Sequence, residues 1–357
     1  MRLEQLTFTR FLAALSILIF HYGQGIEIFY NQYTTFIFEQ ANVGVSYFFI
    51  LSGFVMIIAY GNKEKIIFWD FLKNRLARIY PIYFLAIILI LISKLLKENT
   101  SDLILNLLMI QSWVPSKALT VNFPGWSLSV ELFFYALFPF LLNYVYSKKT
   151  ILFSTINILI FFLISQIVFH LIIYDIYDIN FYTKRDIMYL PIMHLNSFLI
   201  GNLSGLFFLK YLKNRQKNYF YHILFTLSIL VLLLKFPVGL NYHNGLLAII
   251  FVPLIVFISL STDKITKTFS SKPFIFLGEI SFGVYILQRP VWNIFSDSRF
   301  EKFLNFNAEK DFSLLFILRF IILLVLASIS YIYFEKPVRN YINSFSTKHL
   351  TKNKVII

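Results

Sequence analysis

Ten apolar stretches, each about as long as a hydrocarbon core of roughly 30 Å requires, divide this 357-residue chain and constrain its fold more than any other feature. They fall near residues 8–27, 43–60, 79–96, 125–146, 151–174, 187–209, 219–236, 243–261, 273–295 and 313–334. Backbone groups in lipid must hydrogen-bond one another, which admits only helices or closed barrels; continuous apolar runs without period-two alternation predict helices. Composition agrees: 58% of residues are hydrophobic and 14% charged, against about a quarter charged in soluble domains. The expected fold is all-α, a polytopic integral membrane protein of about ten transmembrane helices, with one transmembrane domain over 1–340 and a short basic tail at 341–357.

The basic residues report topology. Of 32 Lys and Arg, twenty flank the ends that would share one side of the membrane, including Lys63, Lys65, Lys73, Arg75 and Arg78, and nine lie on the other. The positive-inside rule then predicts cytoplasmic termini. A net charge of +14 distributed in this way over short loops predicts no nucleic-acid partner. The chain has no cysteine, which excludes disulfides, thiolate nucleophiles and cysteine metal sites, and its six histidines show no metal-ligand spacing, so no metal is expected. Arg10 opens the first run and no small-residue cleavage site follows it, so that run reads as a retained helix rather than a signal peptide. The longest outer connection, 97–124, holds an apolar stretch at 103–113 that is too short to span and reads as re-entrant or interfacial. No internal repeat is visible.

Polar residues inside the apolar runs carry the functional signal, because lipid penalises them unless they are paired or used. Arg10 and His21 are eleven residues apart, about 1100° of helical rotation and about 16 Å of rise, so they share one face of the first helix at two depths. Facing a wet channel they would act together; the alternative is that Arg10 snorkels and His21 bonds a neighbouring helix. Arg75 and Arg78, spaced i and i+3 ahead of the third run, suit bidentate phosphate recognition or an ordinary basic flank. Glu131 lies inside the fourth run at a depth expected to match His21, either in an active-site network or in a structural ion pair. His194, Arg319, Gln288 and Arg289 fall at a similar outer level and suggest a central polar cavity, although His194 by itself suits a packing role. Glu335 could pair with Arg75 or Arg78, or remain a surface carboxylate. His170 and Asp175 mimic an acyltransferase H-x4-D spacing but lack its α/β context.

In order along the chain, Arg10 and His21, FFILSGFVM at 48–56, RLARIYPIYF at 75–84, WSLSVELFFYALFP at 126–139, LGEISFGVYILQRPV at 277–291 and YFEKPVR at 333–339 resemble the signature blocks of the acyltransferase-3 family. Two positions depart: many members have histidine where this chain has Gln288, and a second acid where it has Leu132. The chain also lacks the extracellular hydrolase-like domain fused to some members, so it is expected to act alone or with a separate partner.

The resemblance implies an O-acyltransferase of surface polysaccharides in the bacterial cytoplasmic (inner) membrane. It would carry an acyl group, most often acetyl, from acyl-CoA at the cytoplasmic face to a hydroxyl of an extracytoplasmic or lipid-linked glycan, such as an O-antigen or capsule sugar. Acetyl-CoA is the expected donor; Arg10, Arg75 and Arg78 are the expected phosphate ligands, and His21 the general base, with Glu131 orienting or recharging it and Arg10 assisting. A transporter or flippase is the rival, since carriers also hold Arg, Glu and His among their helices. A non-catalytic membrane scaffold is the other rival.

Overall fold

The computed structural model describes residues 3–93, 99–177, 181–304 and 310–352, and its principal helices fall on the apolar runs. These are α1 (Gln5–Tyr22), α2 (Val43–Tyr60), α3 (Phe68–Ile92), α4 (Trp126–Phe140), α5 (Ile151–Ile173), α6 (Pro191–Phe207), α7 (Phe220–Lys235), α8 (Ala248–Leu260), α9 (Lys272–Ile294), α10 (Phe312–Ser330) and a terminal α11 (Lys336–Lys352). No strand occurs among the described residues beyond an isolated bridge between Lys217 and Ser261. Seven helical segments are long and apolar enough to cross a membrane, and α7 and α8 are shorter apolar helices. Although 18 residues long, α1 is not among the seven, and its Gln5, Thr7, Thr9, Arg10 and His21 lower its hydropathy.

One of the expected boundaries moves. The third run was expected near residue 79, yet α3 starts at Phe68, which puts Arg75 about two turns and Arg78 about three turns inside the helix. Pro81 is tolerated there because neighbouring helices in a bundle re-satisfy freed backbone groups. The tail boundary at 340/341 lies within α11, which continues α10 through a π-helical turn at Tyr331–Glu335. Arg2, Lys94, Lys97 and Lys354, counted in the charge asymmetry, lie outside the described residues.

Small residues set the two closest helix pairings. A Cβ on Gly201 of α6 would sit 2.1 Å from the Ile50 carbonyl oxygen of α2, and one on Gly53 of α2 would sit 2.2 Å from that of Phe198. Gly205 repeats the contact against Ile57 one turn later, so the spacing of four lets the two backbones touch. Both chains advance together through these contacts, so α2 and α6 run parallel. Helices α1 and α9 are parallel as well: Gly278 abuts Thr7 near their starts, and Gln288 meets His21 near their ends. These directions match the alternation of a chain that crosses back and forth between its runs.

The stretch at 103–113 does not span. It folds as a short helix, Thr100–Leu107, and a 3-10 turn, Gln111–Trp113, and is pinned inward. The hydroxyl of Tyr83 donates to the Asn106 carbonyl at 3.0 Å, Gln111 donates to the Gly125 carbonyl at 2.9 Å, and Ser112 donates to that of Trp126 at 3.0 Å.

Candidate functional site

A cavity of about 450 Å³ lies between α1, α2, α3, α4, α9 and the α10–α11 junction. Its α2 wall extends from Val45 to Ala59, about 21 Å at 1.5 Å per residue. One end lies where α1 begins and α10 finishes, termed basal here; the cavity rises from it through most of the bundle towards the distal end. Among the described residues six charged side chains line it: Arg10, Arg78 and Arg339 against Glu131, Glu279 and Glu335. Formal charges therefore cancel across the cavity, which eases the desolvation of each.

Arg10 lies within electrostatic reach of Arg78 as a like charge and of Glu131 as a counter-charge. Among the described residues neither guanidinium has an ion-pair partner within 4 Å, so both keep donors for an anionic ligand. Glu131 accepts a hydrogen bond from the Tyr135 hydroxyl one turn along α4 and a long one, 3.4 Å, from Ser52 of α2. Glu335 is buried at the π-helical turn, near Arg78 and Arg339, and a Cβ on Gly283 would come within 3.6 Å of its Oε1. Among the described residues Glu335 has no ion-pair partner within 4 Å and its Oε1 has no hydrogen-bond partner, so it pairs with neither Arg75 nor Arg78, and being buried it is not a surface carboxylate either.

Arg75 points elsewhere. Its Nη2 donates to the Tyr60 hydroxyl at 2.8 Å, its guanidinium lies 5.1 Å from the Tyr60 ring and 5.3 Å from that of Phe71, and it does not line the cavity. The i, i+3 spacing suggested one shared side, but the ring of Tyr60 captures one of the two guanidinium groups.

His21 sits at the distal end of α1 and is not among the residues lining the cavity. The shared-face geometry with Arg10 leads along α1 through Ala14, Ile17 and Leu18, which are fully packed, so among the described residues this face of α1 lines no channel between the two. Tyr285 of α9 lines the distal end of the cavity with Val45 and Ser127, and its hydroxyl donates to the Pro124 carbonyl at 3.1 Å and lies 3.0 Å from the Ser127 hydroxyl. Gln288, three residues further along α9, meets His21: Nδ1 and Oε1 are 2.9 Å apart. One helical turn thus separates the end of the cavity from the imidazole's partner.

This arrangement corrects the expected pairing of Glu131 with His21. Glu131 lies five residues below the start of α4, about 7.5 Å at helical rise, while His21 is the penultimate residue of α1. Glu131 joins the Arg10 group, and α9 supplies the partner of His21 because it packs parallel to α1. Around the imidazole lie Phe123, edge-on at 4.6 Å, and Tyr22, which stacks at 4.3 Å on Trp292. Arg289 lies 5.5 Å from the Phe123 ring. Pro290 has no N–H for the Ile286 carbonyl, and Asn122 supplies the missing donor at 3.1 Å, which ties the loop before α4 to α9 beside this site.

The other outer polar residues do not converge on the cavity. His194 and His243 are buried and each bonds through Nε2 to the Met188 carbonyl, at 2.8 and 3.0 Å. Arg319 is paired with Asp297 at 2.5 Å beneath the rings of Trp292 and Phe300. His170 and Asp175 are separated, the first bonded to Gln166 and the second ion-paired with Lys184. Glu279 and Tyr285 went unnoticed in the sequence; a carboxylate in the second turn of an apolar helix was a usable signal for the first.

An all-helical membrane fold with a charged internal cavity and an imidazole one turn beyond it defines the class. An acyltransferase-domain family model, that of acyltransferase-3, matches residues 3–335, and the chain belongs to that family. The chain is also similar to the acyltransferase MdmB of Streptomyces mycarofaciens, 33% identical over 152 residues. That similarity covers 39% of this chain and 38% of the relative. No solved structure matches.

Proposed function

We propose that this protein is a membrane O-acyltransferase that takes an acyl group, acetyl in the first instance, from acyl-CoA at the cytoplasmic face and delivers it to a hydroxyl of an extracytoplasmic or lipid-linked glycan. The observation that carries this reading is the cavity with two guanidinium groups, Arg10 and Arg78, that have no ion-pair partner among the described residues, and which ends one turn short of His21. Guanidinium donors suit the phosphates of coenzyme A. The basal end, by the charge asymmetry, is the cytoplasmic one, where that donor is found.

In this mechanism Arg10 and Arg78, with Arg339 at the rim, hold the phosphates, and the pantetheine arm rises along the α2 wall. Glu131 keeps Arg10 in place through charge, fixed by Tyr135 and Ser52. Transfer requires the distal wall at Tyr285 to move aside so that the thioester reaches His21, which takes the proton of the acceptor hydroxyl as that oxygen attacks the thioester carbonyl. The thiolate of coenzyme A leaves and is protonated, and the ester forms on the glycan. General-base assistance of this kind contributes about 10² to 10⁴-fold.

The test is the full chain in lipid nanodiscs with radiolabelled acetyl-CoA and lipid-linked saccharide. Label appearing covalently on the saccharide, and disappearing from it in His21→Ala, supports the proposal. Passage of an unmodified saccharide through proteoliposomes, with no labelled product, overturns it in favour of a carrier.

A further inference from the structure

The contacts of Gln288 give it a definite task. Its side chain is fully buried, so the orientation of its amide matters. The amide nitrogen donates to the Tyr285 carbonyl at 2.7 Å, and a carbonyl can only accept. That bond fixes which end of the amide faces the other way: Oε1 must point at His21. The oxygen cannot donate either, so the 2.9 Å contact with Nδ1 requires the hydrogen to be on Nδ1.

We infer that Gln288 is a positioning residue that locks the His21 imidazole as its Nδ1–H tautomer, leaving the Nε2 lone pair as the base. Among the described residues no polar group meets Nε2. The inference rests on the reading of His21 as the general base, and it adds how a neutral amide, with no carboxylate, can set the base. A carboxylate at this position would bring a second charge beside the ring; the amide orients the ring without one. The orienting chain is short and lies on the helix turn that lines the distal end of the cavity: the Tyr285 carbonyl holds Gln288, and the Tyr285 side chain lines the cavity. A displacement of Tyr285 that opened the cavity would therefore be felt at the imidazole.

Solid-state NMR of the full chain, labelled with 15N-histidine and reconstituted in lipid, tests this directly, because protonated and unprotonated ring nitrogens differ widely in shift. Subtracting the spectrum of His21→Gln isolates His21 from the other five histidines. The expected result is a protonated Nδ1 and a bare Nε2 in the wild type. In Gln288→Met, of similar length but with no acceptor, His21 should show a mixture of tautomers, and kcat should fall about tenfold while the KM for acetyl-CoA is unchanged. Gln288→Glu keeps an acceptor at the same reach and should retain the Nδ1–H signal.

A wild-type His21 protonated at Nε2 overturns the inference. So does a Gln288→Met variant that loses turnover with its histidine shifts unaltered, because that would mark a purely structural role. If Gln288→Met fails to fold, the wild-type and Gln288→Glu spectra decide the matter by themselves. The tautomer is read without turnover, so a wild type with no transferase activity but with the Nδ1–H signal would remove the proposed reaction and leave this assignment standing.

Discussion

Gly201→Ala is the sharpest test of the architecture that holds the cavity. The added methyl would lie 2.1 Å from the Ile50 carbonyl oxygen, where ordinary contact begins near 3.4 Å, so α2 and α6 must part by about 1.3 Å. The obstacle is backbone, which cannot rotate away. Overpacking of this kind costs about 1–3 kcal/mol. The displacement also reaches the site, because α2 carries Ser52, Phe48 and Phe49 on the cavity wall, and misplacement of a reacting group by about 1 Å can lower a rate about 10²-fold. At Gly205 the nearest atom is Ile57 Cβ at 2.7 Å and the nearest backbone oxygen, that of Phe54, lies at 3.0 Å, so the helices need part less and Gly205→Ala should be the milder change. Thermal unfolding in detergent and acyl transfer at equal protein measure the two consequences. Wild-type unfolding temperature and turnover in Gly201→Ala, or a larger loss in Gly205→Ala, would refute the close approach of these helices.

Other expectations follow from the site. His21→Ala should abolish transfer, by about 10² to 10⁴-fold, while acetyl-CoA binding persists, since His21 lies beyond the cavity; a parallel loss of binding in a calorimetric titration would contradict that placement. Arg78→Lys keeps the charge but loses the planar fork, so the dissociation constant of acetyl-CoA should rise several-fold with insertion intact, and an unchanged constant would take Arg78 out of the phosphate site. Arg75→Lys should change donor affinity less than Arg78→Lys, because its guanidinium is held by Tyr60; equal effects would show that Arg75 swings into the cavity. Glu131→Gln should lose turnover through Arg10 and leave the His21 tautomer untouched, and an altered His21 shift in that variant would restore the direct Glu131–His21 link.

The chain legibly encodes its membrane helices. Hydropathy reports burial in lipid, which each run experiences separately, so the positions of α2, α5 and α9 followed from local sequence to within a few residues. The start of α3 did not, because 68–78 is a polar and amphipathic extension that hydropathy ends too early. Grouping was harder to read. Arg10 and Glu131 were recognisable as costly residues for a membrane, yet depth along separate helices gave Glu131 to His21, whereas the structure gives it to Arg10.

The sequence alone determined what kind of solvent the chain meets, which segments must be helical, and which side chains are too costly in lipid to be incidental. Those properties depend on the free energy of transferring each residue and on a helical period that repeats within one segment. The tertiary structure alone decided the partners: that α9 lies parallel to α1 and offers Gln288 to His21, that Arg75 turns to Tyr60 while Arg78 enters the cavity, and that Tyr285 lines its distal end. Such choices depend on how closely backbones approach at glycines such as Gly201 and Gly278, which is a relation between segments far apart in sequence and is carried by neither one by itself.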